Sequence, residues 1–241
     1  MTYRVRNFVG GLVVVAILAL IITAVAVDET RGGETTPAAG APAFETEFEA
    51  PWPMVAFLGD SFTTGAKAGT QKDRYPALIC SAKQWTCLVN GQGATGFVSA
   101  GQPEQGESPY INRIPALRKD GEPELIVIQG GINDPGDATV EPAVRATLAA
   151  AKAEYPTAQI VALGPIQPLK RSPKAIEANR AAMAAAAEAE GVRFIDPIAG
   201  NWITDPTLFA DDGMHLTAAG YNVFATKLSP ELYIEDGEAG Q

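Results

Sequence analysis

The chain has 241 residues, 46% hydrophobic and 19% charged, which is enough for one ordinary domain with a sizeable core plus an appendage, and too little for two independent domains. Eighteen basic residues against 28 acidic ones give a formal charge of -10, a field that repels nucleic acid and anionic headgroups, so a nucleic-acid binder is disfavoured. One histidine, two cysteines and none of the zinc-ligand spacings exclude a structural zinc site.

Phe8 to Val27 runs without a charge, preceded by Arg4 and Arg6 and followed by Asp28 and Glu29. Residues 1–27 therefore read as a membrane-targeting segment with its N-terminus in the cytoplasm, and the rest of the chain is expected outside it. Its length favours a retained anchor over a cleaved signal peptide, although Ala24-Val25-Ala26 offers a small-x-small cleavage site. Residues 28–49 are rich in Pro, Ala, Gly, Thr and Glu, bury too little to offset their ordering entropy, and read as a flexible acidic stalk. The domain proper is expected over 50–230, with a tail over 231–241. Export places Cys80 and Cys87 in an oxidising compartment, where a disulfide is the expected state.

From Trp52 onward short apolar runs alternate with longer amphipathic ones, the pattern of parallel strands joined by helices. The strands are predicted at Met54–Leu58, Thr86–Val89, Leu125–Gln129, Gln159–Leu163 and Val192–Ile195. Val140, Val144, Leu148 and Ala151 recur at helical spacing, and Pro156 stops that helix. The alanine-rich stretch Pro173–Glu190 is a second helix with Gly191 as its C-cap, and Thr217–Leu228 is a third, closed by Pro230.

In such a sheet ligands bind beyond the carboxyl ends of the strands. The segments there are Gly59-Asp60-Ser61, the glycine-rich run Asn90–Phe97, Gly130-Gly131-Ile132-Asn133-Asp134, and Asp211–His215 with the single histidine. Ser61, opening a helix after a buried strand, has its hydroxyl beside N–H groups that no helical carbonyl satisfies. A hydroxyl needs a base to become a nucleophile, and His215 is the one imidazole available. Asp212 stands three residues earlier, where it can orient that ring, while Asn133 and a glycine of the second segment can supply N–H donors to an oxyanion.

The order Gly-Asp-Ser, Gly, Gly-x-Asn-Asp and Asp-x-x-His resembles the SGNH (GDSL) hydrolase superfamily over residues 54–228. The resemblance implies a three-layer α/β/α flavodoxin-like sandwich with a five-stranded parallel sheet. It implies Ser61 as nucleophile, His215 as general base, Asp212 as its orienter, and Ser61, Asn133 and a glycine as oxyanion donors. Gly96 is preferred to Gly93 for that glycine because Thr-Gly-Phe follows the strand at a loop-like distance. Phe62 departs from the family's Leu. The expected activity is hydrolysis of short acyl or O-acetyl esters of small molecules or polysaccharides, with no cofactor and no metal. The same family implies O-acyltransferase, lysophospholipase or thioesterase alternatives, and a non-catalytic carbohydrate-binding module on the same fold. A phosphate-binding loop at Gly59–Lys67 fails on spacing, and no Gly-x-Ser-x-Gly elbow is present.

Overall fold

A computed structural model describes residues 52–118 and 121–234. The apolar run 8–27, the stalk 28–49 and the end of the tail lie outside the described residues. Among the described residues no helix is long and apolar enough to cross a membrane.

Five parallel strands, β1 (Met54–Gly59), β2 (Thr86–Gly91), β3 (Leu125–Gln129), β4 (Gln159–Leu163) and β5 (Arg193–Ile195), pair in the order β2-β1-β3-β4-β5. The predicted strands are all present, and the α/β sandwich expected from the sequence is the architecture observed. The differences lie at the ends. β1 and β2 continue through Gly59 and Gly91, which pair with each other. Val192 instead donates its N–H to Ala187 O at 2.8 Å, completing the C-terminal cap of the preceding helix before the strand begins.

Alternate side chains along each strand fall on opposite faces, and both faces are covered. Val55, Phe57, Leu125, Val127, Val161 and Leu163 face one core with helices α2 (Tyr75–Lys83) and α5 (Ala218–Leu228), reached through Tyr75, Ile79, Tyr221 and Phe224. Ala56, Leu58, Ile126, Ile128, Ile160 and Ala162 face the other with α3 (Val140–Glu154) and α4 (Pro173–Glu190), through Val144, Leu148, Met183 and Ala187. Double burial is why β1, β3 and β4 read as nearly continuous apolar runs, whereas the edge strands β2 and β5 are half-buried. A 3-10 segment at Tyr110–Arg118 also packs on this second face, placing Tyr110, Ile114 and Leu117 in the core. No helical period marks it in the sequence, because Pro115 interrupts it and its mean hydropathy is low.

The chain reverses direction of winding between β1 and β3, which are neighbours in the sheet. That switch point opens a crevice at the carboxyl ends, and the segments that follow β1 and β3 are the ones carrying Ser61 and Asn133. Cys80 on α2 and Cys87 on β2 form a disulfide with a Cα separation of 6.2 Å, clamping the helix to the sheet edge.

Candidate active site

Asp60 caps a single helical turn, α1 (Ser61–Thr64), by accepting the Phe62 N–H at 2.9 Å, and Gly65 ends it in the left-handed conformation at φ 76°. Ser61 is the first residue of that turn, so its N–H has no intrahelical acceptor. Its Oγ lies 2.9 Å from His215 Nε2, and His215 Nδ1 lies 2.8 Å from Asp212 Oδ2. The other Asp212 oxygen accepts the N–H groups of Met214 at 2.9 Å and His215 at 3.0 Å. A proton held on Nδ1 by that carboxylate leaves the Nε2 lone pair facing the serine hydroxyl. Desolvation pushes the Asp212 carboxyl up, but the hydrogen bonds from the His215 ring and the two backbone N–H groups outweigh it and hold the group well below the usual carboxylate range. Phe62 places its ring 5.7 Å from that of His215, so the departure from Leu leaves an aromatic face beside the imidazole.

Asn133 sits across from this line. Its Nδ2 donates to Thr95 O at 3.0 Å and, at a long 3.5 Å, to Asp60 Oδ2, and its Oδ1 accepts from Arg171 Nη2 at 3.2 Å. Next to it the buried Asp134 carboxylate accepts the N–H groups of Phe97, Val98 and Ser99 at 3.2, 2.8 and 3.1 Å, sewing the loop after β2 to the loop after β3.

The structure corrects the preference for Gly96. Its N–H is already donated to Ser99 O at 2.9 Å. Glycine is needed there for another reason: a Cβ would stand 2.3 Å from Asp134 Oδ1, where the carboxylate must pass to reach its three donors. Gly93 has no acceptor for its N–H among the described residues, and a Cβ there would meet nothing nearer than Glu107 Oε1 at 3.9 Å.

Two groups that the motif left without a role hold this side of the site. Arg113, buried on the 3-10 segment, donates to Asn90 Oδ1 at 3.1 Å, Thr95 Oγ1 at 3.0 Å and Gly59 O at 3.0 Å, and also to Asn90 O. It thereby fixes the ends of β1 and β2. Asp60 is fully buried, and desolvation raises its carboxyl to about 7 despite the Phe62 N–H, the Gln129 amide and Arg113, which pull the other way. Asn179 on α4 completes the frame by donating to Gly131 O at 3.0 Å and Asp134 O at 2.9 Å. Asp60 stands in the Gly-Asp-Ser motif, whereas no motif or spacing in the sequence marks Arg113 or Asn179.

Residues 57–223 match the GDSL-like lipase/acylhydrolase family, and the chain belongs to it. It is an ester-bond hydrolase of that family. It is 28% identical over 197 residues to the GDSL lipase Rv0518 of Mycobacterium tuberculosis, covering 75% of this chain and 82% of that one. Among solved structures it is similar to Est24, a carbohydrate acetylesterase from Sinorhizobium meliloti, with a TM-score of 0.61, 16% identity, and 74% and 97% of the two chains covered. It is also similar to a family two carbohydrate esterase from Clostridium thermocellum in complex with cellohexaose, with a TM-score of 0.60, 18% identity, and 76% and 65% covered. At those identities the likeness to the solved structures is one of fold.

Proposed function

We propose that this protein is an exported serine esterase that removes short acyl groups, O-acetyl above all, from small-molecule or polysaccharide substrates. The observation that carries the reading is the unbroken line from Ser61 Oγ through the His215 ring to Asp212, at 2.9 and 2.8 Å. Ser61 Oγ attacks the ester carbonyl as His215 Nε2 takes its proton, and Asp212 stabilises the imidazolium. The N–H groups of Ser61 and Gly93 and the Asn133 Nδ2 hydrogen that otherwise makes only a long contact to Asp60 Oδ2 receive the oxyanion. His215 returns its proton to the departing alcohol, then takes one from the water that attacks the acyl-enzyme, and Ser61 is regenerated.

Support for the substrate class comes from the exposure of the line and from the two carbohydrate esterases of the same fold. The side chains of His215 and Asp212 are 22% and 29% exposed, which suits an ester presented on a chain too large to be engulfed. Support for export comes from the charge-flanked apolar run 8–27 and from the Cys80–Cys87 bond, which an oxidising compartment maintains. The domain then works on the outer side of the cell membrane, tethered there or secreted after cleavage.

Hydrolysis of a series of aryl esters from acetyl to decanoyl, beside acetylated xylan and acetylated peptidoglycan, tests the reading. The acetyl ester and one of the polymers are expected to turn over fastest. A rate that climbs with chain length would move the assignment to a lysophospholipase or thioesterase.

A further inference from the structure

The turn between β4 and α4 carries Lys170 and Arg171, two residues before the first residue of the helix in the case of Arg171. Gln167 Nε2 donates to the carbonyls of Pro168 at 2.9 Å and Arg171 at 3.1 Å, which fixes the backbone of this turn. Lys170 N–H donates to Gly213 O at 3.0 Å, fastening the turn to the one that bears Asp212 and His215. Gly213 holds φ 63°, and a Cβ there would lie 3.0 Å from Lys170 Cγ and Cε, so the lysine stem rests against it.

From this fixed base the Arg171 guanidinium reaches Asn133 Oδ1. Its charge is otherwise uncommitted. Arg118, Arg145, Arg180 and Arg193 each form a salt bridge with an aspartate or glutamate, whereas Arg171 has no carboxylate partner among the described residues, in a chain of net charge -10. Both ends of the Asn133 amide are thus read. Turning it over would set its oxygen against Thr95 O and its nitrogen against the cation, acceptor to acceptor and donor to donor. In the observed orientation one Nδ2 hydrogen is held by Thr95 O at 3.0 Å, and the other makes only a long contact of 3.5 Å to Asp60 Oδ2, which a closer ligand oxygen can replace.

We infer that Arg171 is a positioning residue for the oxyanion donor Asn133: it locks the amide with Nδ2 toward the reacting carbonyl and polarises that N–H from behind. The inference rests on the esterase reading above. Hydrogen bonds in series strengthen one another, and a donor fixed in advance needs no reorganisation when charge develops. Because the guanidinium is open to solvent, its field is screened, and the effect is smaller than that of Asn133 itself.

A double-mutant cycle on an aryl acetate tests this. Arg171→Met is expected to lower kcat about tenfold with KM within about twofold, Arg171→Lys to recover part of the loss, and Arg171→Met to cost nothing further in an Asn133→Ala background. An unchanged kcat in Arg171→Met would overturn the assignment. So would an equal loss in both backgrounds, or a rise in KM confined to esters that carry an anion, which would make Arg171 a substrate ligand. Ser61→Ala run alongside separates this from the larger reading: turnover that survives there contradicts the serine esterase, whereas turnover abolished there with Arg171→Met unaffected contradicts the Arg171 role alone.

Discussion

The two sides of the crevice are built by opposite means. Asp212 and His215 stand three residues apart in one turn, and Ser61 is set by the cap of its own short helix, so each part is made locally and a single long-range hydrogen bond joins them. The opposite side is assembled across the chain. Asp134 reaches back to the N–H groups of 97–99, Arg113 to Gly59 and Asn90, and Asn133 to Thr95. His215 and Asp212 are partly exposed, whereas Arg113 and Asp134 are 4 and 5% exposed. A locally built, open constellation can lose a member without unfolding; a buried frame of charges cannot, since each lost partner strands others away from water.

The largest expected effect separates the two sides most sharply. His215→Ala should lower kcat by about 10³-fold or more while leaving the melting temperature within about 2 °C of the parent, because it removes the base and little packing. Arg113→Ala should do the reverse first. Removing the guanidinium from Gly59 O, from both oxygens of Asn90 and from the Thr95 hydroxyl should cost about 3 kcal/mol or more in urea unfolding, with activity lost alongside stability. An Arg113→Ala protein as stable as the parent would remove the buried-frame account.

Reduction of Cys80–Cys87 comes next. The loop is short, so the loss should be about 2–3 kcal/mol, and the reduced protein should stay folded at 25 °C with a lower melting temperature. A reduced protein that unfolds outright would mean the clamp carries more than loop entropy.

A further contrast is a difference in sign with pH. Asp60, raised to about 7 by burial, binds its proton more tightly in the folded than in the unfolded state. Its contribution therefore falls as pH rises from about 4 to about 7, by at most about 1.4 kcal/mol per pH unit. Asp212 is shifted the other way, so its contribution is present above the ordinary carboxylate range and is lost only as pH falls below it. Urea unfolding of the parent and of Asp60→Asn at half-unit steps from pH 4 to 8 should show the parent losing stability relative to the variant as pH rises. Parallel curves would place the Asp60 titration outside that window.

The same contrast explains what the sequence made legible. The central strands β1, β3 and β4 were visible because burial on both faces leaves nearly unbroken apolar runs, and the Ser61, Asn133 and His215 segments because each follows a strand end. Asp134 stood in the quoted motif, but its function depends on N–H groups more than 30 residues away, which no local spacing reveals. Arg113 was hidden in a segment that Pro115 deprives of helical period. Gly96 shows the mechanism of error most plainly. The requirement for glycine is real, but it comes from the Asp134 carboxylate passing close by, and the distance from a strand end cannot distinguish that from a free N–H.

The central claim is that Ser61 is the nucleophile and that His215 activates it. Labelling of the full-length protein with a fluorophosphonate, followed by peptide mass spectrometry, tests it most directly. One phosphonyl group should be found on Ser61, formed at a rate that falls by about 10²-fold or more in His215→Ala. A protein that hydrolyses esters and carries the label on another residue, or that labels Ser61 at the same rate without His215, would contradict it.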